Sequence, residues 1–231
     1  MSLKKTKMCD IDDDNNTMVK EEPSFVTLDP SLSEVSFKDN LYPIEIHLIG
    51  EINSESVSEF ETKLREAQRS GQTEIALVLQ SEGGNIYDAM KIVDLILSSE
   101  VDITTVVRGY AFSAASLIFS CGTNRIMGNH ASIMIHSVSV DLFGGTMAEM
   151  KVESAEMERL TQRMCETMAA NTGKRKDFYK KKLEDNRDLY LNAEEALKWN
   201  LATHIGDAKT ETTISVDTKI RIVTSKKRKR I

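Results

Sequence analysis

Cysteine, proline, aromatic side chains and long apolar runs are all scarce in this 231-residue sequence, and each scarcity excludes something. Three cysteines, Cys9, Cys121 and Cys165, are odd in number, far apart and without a CxxC pair. That pattern excludes a disulfide framework and a cysteine-based zinc site, and it points to a reducing compartment. No segment approaches the ~18 consecutive apolar residues of a membrane-crossing helix, and the lysines of MSLKKTKMCDIDDDNN lead into no apolar run of signal-peptide length. A soluble, cytoplasmic protein without a membrane partner is therefore expected. The formal net charge of −6 gives no general electrostatic basis for binding nucleic acid.

What is present divides the chain into three. Residues 1–40 combine the acidic block from Asp10 to Asp14 with Asn, Ser and two of the three prolines, and cannot bury enough apolar surface to offset chain entropy. They read as a flexible arm or a removable leader. Residues 41–209 alternate strand-like and helix-like segments. Residues 210–231 form an extension ending in a solvated basic run, KKRKR.

Within the middle segment, IEIHLIG reads as a strand, and SESVSEFETKLREAQ places Val57, Phe60 and Leu64 on one helical face. EIALVLQSEGG is an apolar strand running into a glycine pair. NIYDAMKIVDLILSS is a helix with Ile86, Met90, Val93 and Leu97 along one side. ITTVVRGYAF is β-rich, SAASLIFSCG is a short apolar helix stopped by Gly122, and ASIMIHSV is a strand again. Such alternation predicts an α/β domain with mostly parallel strands. From about Thr146 to Ala170 a long helix carries Met147, Met150, Met157, Leu160, Met164 and Met168 as a stripe, suited either to its own core or to a partner helix. A last helix, AEEALKWN, is entered through Asn192 as N-cap and left through Asn200, which tolerates the left-handed exit position.

An acyl-transfer site needs a hydroxyl with room around it, a base, a group that orients the base, and N–H groups aimed at the developing oxyanion. Ser113 stands where a strand gives way to a helix, among the small residues Ala111, Ala114 and Ala115. Read alone it is equally an N-cap. Of the four histidines, His47, His130, His136 and His204, only His136 ends an alternating strand and so reaches a sheet rim, although a structural imidazole would look the same. Gly83-Gly84 follows a strand directly and offers an exposed backbone N–H, or is simply a turn.

The segments QSEGG, GYAFSAASLIFSCG, IMIHS and NRDLYLNAEEALKWNLA, in this order, resemble the proteolytic subunit family of the Clp protease, whose pattern runs roughly SPGG, GxAASM, MIH and RDxFLSAxEAxxYGL(V/I)D. The resemblance extends from about Ile44 to Ile205 and implies a ClpP/crotonase-like spiral of β-β-α units with a protruding handle helix. It implies Ser113 as nucleophile, His136 as general base, Asp188 as the residue that orients the imidazole, and the N–H groups of Gly84 and Ala114 as the oxyanion hole. Arg187 matches an arginine that makes contacts between rings, and the methionine-striped helix matches the handle that packs two rings together. Ser116 is a rival to Ser113, because the AAS ending at it mimics AAS in the family. Departures from the pattern are Glu82 for proline beside the glycines, Phe112 for a small residue before the serine, Ser137-Val138 for Gln-Pro, and Ala202-Thr203 for Val-Asp.

By this resemblance the expected function is a serine endopeptidase acting on unfolded polypeptides inside a homo-oligomeric chamber of stacked rings, fed by a Clp-type ATPase. It would need no metal or organic cofactor and no nucleic-acid partner. Three other readings share the features above: a catalytically silent ring subunit, a virus-type head-maturation protease on the same fold, and a crotonase-type acyl-CoA enzyme.

Overall fold

A computed structural model describes residues 45–139, 145–185 and 187–209. The expected N-terminal arm and the extension with the KKRKR run lie outside the described residues. Strand β1 (Glu45–Ile52) buries Ile46, Leu48 and Ile52. Helix α1 (Ser54–Ser70) starts at a reciprocal cap: the Asn53 side chain accepts from the Ser56 N–H while the Ser56 hydroxyl accepts from the Asn53 N–H. It buries Val57, Phe60, Leu64 and Ala67, and ends at Gly71 in the left-handed conformation, φ 76°. Strand β2 (Glu74–Gly84) runs parallel to β1, with Leu77, Val78 and Leu79 all buried, so it is covered on both faces.

Helix α2 (Ile86–Leu97), capped by Asn85, departs from expectation. Its buried face is Ala89, Ile92, Val93 and Ile96, while Leu97 is 57% exposed. The segment is apolar on nearly every side, so periodicity alone admits several stripes, and packing on the sheet selects the one centred on Ile92 and Val93.

Strand β3 (Asp102–Phe112) is the hub. Its lower half, Thr105–Val107, pairs with β4 (Arg125–Met127), and its upper end, Tyr110–Phe112, pairs with β5 (Ser132–His136). Between β3 and β4 lies α3 (Ala114–Phe119), all six of whose residues are buried. The main sheet runs β1-β2-β3-β4-β7, all parallel, with β7 being His204–Ile205; β5 branches from the end of β3 and carries the antiparallel β6 (Asp188–Asn192). Parallel pairing thus dominates, as expected.

The short strands β4 and β7 carry no sequence signal of their own. They are tied by Arg125, buried to 6% exposure, whose guanidinium donates to the carbonyls of Leu201 at 2.9 Å and of Gly122 and Asn200 at 3.0 Å. Helix α6 (Ala193–Lys198) has Asn192 as its cap, and Asn200 exits at φ 55°. Helix α5 (Phe178–Asp185), not expected from its lysine-rich sequence, is anchored by Phe178 and Tyr179 stacking edge-on with Trp199.

Helix α4 (Met147–Asn171) splits the methionine stripe. Leu160, Met164 and Met168 are in the core with Cys165 and Ala169, whereas residues 147–155 are exposed on every side, Met147 by 72% and Val152 by 70%. Burial pushes the thiols of Cys121 and Cys165 up to about 11, which keeps both protonated and unreactive near neutral pH. Among the described residues no helix is long and apolar enough to cross a membrane.

The Arg125 contacts generate a stability prediction. Arg125→Met leaves three carbonyls without their donor and should lower unfolding stability by about 2–4 kcal/mol, measured as the shift of a urea transition at constant slope. Arg125→Lys, which restores charge without the planar fork, should recover part of the loss; a Met variant within about 0.5 kcal/mol of wild type would contradict this role.

Candidate active site

Ser113 occupies the single residue between β3 and α3, at φ 54° and ψ −123°. Besides Asn200 it is the only non-glycine with positive φ among the described residues. Such a backbone costs of order 1–3 kcal/mol and persists only where its surroundings hold it. Three contacts do so. The Ser113 N–H donates to the Met134 carbonyl at 2.8 Å, continuing the β3–β5 ladder. The wholly buried α3 fixes the downstream side. On the upstream side Gly83, at φ 103°, packs so closely that an added Cβ would lie 2.7 Å from Ser113 Cβ and 2.8 Å from the Phe112 carbonyl.

The serine does not act as an N-cap: its hydroxyl makes no capping bond. Ser113 Oγ instead lies 2.6 Å from His136 Nε2. The rival Ser116 is fully buried and its hydroxyl donates to the Ser113 carbonyl at 2.6 Å, so it serves as a strut beneath the turn.

His136 is placed by strand alternation. Ile133 and Ile135 of β5 face the core, which puts Ser132, Met134 and His136 on the opposite, half-buried face. Just beyond the histidine, the Val138 N–H donates to Thr161 Oγ1 of α4 at 2.9 Å. That tether has no signature in the sequence, since Thr161 is one polar residue among many on a long helix. Of the other histidines, His47 pairs with Glu45 at 3.5 Å, His204 Nδ1 lies 2.9 Å from Thr203 Oγ1, and His130 is exposed in the turn before β5.

Asp188 opens β6 and is the direct ladder partner of His136. Directly opposed residues of an antiparallel pair share a face, with Cβ atoms about 4.5–5.5 Å apart. The aspartate is nonetheless exposed, and no hydrogen bond or ion pair joins its carboxylate to the imidazole. The sheet thus brings Asp188 beside His136 without engaging it. Arg187, the preceding residue, is also exposed.

Two backbone groups complete the surroundings. Gly83 N–H is taken by Ser81 Oγ at 3.0 Å. Gly84 pairs with Ile52, but the bond to β1 there comes from Asn85 N–H, donated to the Ile52 carbonyl at 2.8 Å. Gly84 lies at φ 147°, a backbone conformation that residues with a side chain rarely adopt. No other residue fits at Gly84, because a Cβ would collide with the Ile52 carbonyl. Ala114 is the first residue of α3, so its N–H has no acceptor within the helix.

Comparison with known proteins bears on this arrangement. Residues 36–209 match the family model described as Clp protease. The ATP-dependent Clp protease proteolytic subunit 1 of Leifsonia xyli subsp. xyli is 28% identical over 184 residues, 78% of this chain and 90% of that protein. Proteolytic subunit 2 of Corynebacterium jeikeium is 29% identical over 136 residues, 58% of this chain and 64% of that protein. Proteolytic subunit 2 of Mycobacterium tuberculosis is 32% identical over 131 residues, 55% and 60%. For these last two the match spans a little under two thirds of the relative's length. A mutant of ClpP1 from Listeria monocytogenes superimposes with a TM-score of 0.64 over 71% of this chain and 92% of its own, at 23% identity, a likeness of fold. The expected α/β spiral of β-β-α units with a projecting helix is therefore the fold of this protein. Because the family match covers most of the sequence, and every described element from β1 to β7 lies within it, the chain belongs to the Clp protease family.

Proposed function

We propose that the chain is a serine endopeptidase of the Clp type, and the observation that carries this is the 2.6 Å contact between Ser113 Oγ and His136 Nε2 at a backbone turn held under strain. With its proton on Nδ1, His136 accepts the Ser113 hydroxyl proton at Nε2 as Oγ bonds to a peptide carbonyl carbon. The carbonyl oxygen gathers negative charge toward the N–H groups of Gly84 and Ala114. The C–N bond then breaks, Nε2 returns its proton to the departing amine, and water, activated by the same nitrogen, hydrolyses the ester.

Asp188 is the orienting group in this reading. Support for this role is that the two residues are direct ladder partners, so the carboxylate and the imidazole stand on one face of the sheet with neighbouring Cβ atoms. The disengaged carboxylate also favours a second reading, in which the isolated chain is silent and the site is completed on assembly. Unfolded polypeptide as substrate, stacked homo-oligomeric rings, a Clp-type ATPase as feeder and a cytoplasmic location follow from family membership and belong to the proposal.

A fluorophosphonate probe tests the nucleophile directly. Labelling should map to Ser113, persist in Ser116→Ala and vanish in Ser113→Ala, with peptide cleavage falling at least ~10³-fold. A label that survives Ser113→Ala refutes the assignment. For Asp188→Asn, kcat should fall by about 10²–10⁴ with little change in KM; an unaltered kcat would make the aspartate a bystander. Gly83→Ala should lose both labelling and cleavage while its circular dichroism spectrum stays that of a folded chain, since the added methyl meets Ser113 itself. Full activity in this variant would show that the turn is not held from behind.

A further inference from the structure

Two hydrogen bonds tie different edges of the site to one helix. On one edge β2 ends at Gly84 and the chain turns at once into α2: the Asn85 N–H donates to the Ile52 carbonyl at 2.8 Å, and the Asn85 side chain accepts from the Tyr87 N–H at 2.8 Å. The Tyr87 hydroxyl then donates to Glu156 Oε1 of α4 at 2.8 Å, across 69 positions of sequence. On the other edge, just past His136, the Val138 N–H donates to Thr161 Oγ1 of the same helix. Glu156 and Thr161 are so close in sequence that their tie points lie about 7.5 Å apart along the helix axis.

The acceptor end is itself held. Arg159, one turn on, donates to both Glu156 carboxylate oxygens at 2.7 Å, through Nε and Nη2. Its bonds, with that of Tyr87, hold the Glu156 carboxyl down at about 2, and the carboxylate in turn raises the Tyr87 hydroxyl above its ordinary value. Donor and acceptor therefore keep their forms throughout the neutral range. Tyr87 is 55% exposed, so solvent screens the bond and its contribution to global stability is small. It is nevertheless the hydrogen bond that joins α2 to α4 among the described residues.

Position matters more than stability at this point. An oxyanion donor acts only where charge develops, and a displacement of about 1 Å can cost ~10²-fold in rate. Gly84 has no side chain to pack, so its place is set by the residues on either side of it. We propose that Tyr87 is a positioning residue: through Glu156 it ties the Gly84 end of β2 to the helix that Thr161 ties to the chain beyond His136, and so fixes the spacing between oxyanion donor and base. This rests on the peptidase reading above. Tyr87 acts through Gly84 and takes no part in proton transfer.

The test uses the full chain, with peptide cleavage expressed per fluorophosphonate-reactive serine and the oligomeric state followed by sedimentation. Tyr87→Phe keeps the ring and removes only the hydroxyl; kcat should fall about 5–50-fold with KM within ~2-fold, because a misplaced oxyanion donor weakens the transition state more than the ground state. Glu156→Gln, which keeps an acceptor oxygen, should hold kcat within ~3-fold of wild type, and Glu156→Leu should match Tyr87→Phe. The Tyr87→Phe/Glu156→Leu double variant should lose no more than either single one. A Tyr87→Phe kcat within ~2-fold of wild type overturns the positioning role, and so do additive losses in the double variant. Altered sedimentation of Tyr87→Phe overturns it too, since the bond would then serve assembly. A wild-type chain whose Ser113 takes no probe overturns the peptidase reading, and the positioning role falls with it.

Discussion

One constraint organises this molecule: the left-handed turn at Ser113 must be held against its own preference. A serine in that conformation is unstable unless the chain on both sides is fixed, and the chain spends much of its core doing so. Helix α3 is buried along its whole length, which for six residues is possible only because Ala114, Ala115 and Ser116 are small enough to sit against the sheet while Leu117, Ile118 and Phe119 fill the interior. Gly83 lets β2 press against the turn, and the Met134 carbonyl ties it to β5. The same ties set the chemistry, because the strand that accepts the Ser113 N–H is the strand that ends in His136. Backbone strain and the serine–histidine contact are two consequences of one ladder.

Local signals were legible where the cause is local. Asn192 announces a helix start through a side-chain bond that reaches three residues on, Asn200 announces an end through left-handed backbone, and the apolar strands β2 and β3 stand out by composition. Elements held by distant partners were not legible. Strands β4 and β7 exist because Arg125 and Thr203 bridge segments far apart in sequence, and α5 because Phe178 and Tyr179 find Trp199. For α2 the helix was evident but its buried face was not, since apolar residues surround it and the sheet makes the choice.

The site divides along the same line. Ser113 and His136 could be picked out as a junction serine and a strand-end histidine, yet each alone was indistinguishable from a cap or a structural imidazole, and the family resemblance separated those readings. The proximity of Asp188 to His136 depends on β5–β6 register, a pairing across more than fifty residues that no local pattern encodes. The edge-on contact of the Phe112 and Tyr190 rings, 5.9 Å between centroids, depends on the same register. Phe112 could be seen in the sequence as a departure, but its neighbours could not.

That register also explains why the site is partly assembled. Ser113 and His136 are joined by strands anchored in the core, so their contact needs nothing further. Asp188 sits at the first residue of β6, three positions past the end of a highly charged helix anchored by Phe178, Tyr179 and Leu183, and its side chain faces outward. Its backbone is fixed by the ladder while its carboxylate is free, which is the state expected of a group whose orientation is decided by what comes to lie against that edge. The chain segment after His136 has a comparable dependence, because Val138 is bonded to Thr161 at the point where α4 leaves the core and its methionine-bearing end becomes exposed on all sides. His136 and Asp188 therefore adjoin the least buried parts of the domain, while Ser113 adjoins the most buried. The Ser113–His136 contact is set by folding, and the Asp188 carboxylate stands where the fold meets its surroundings.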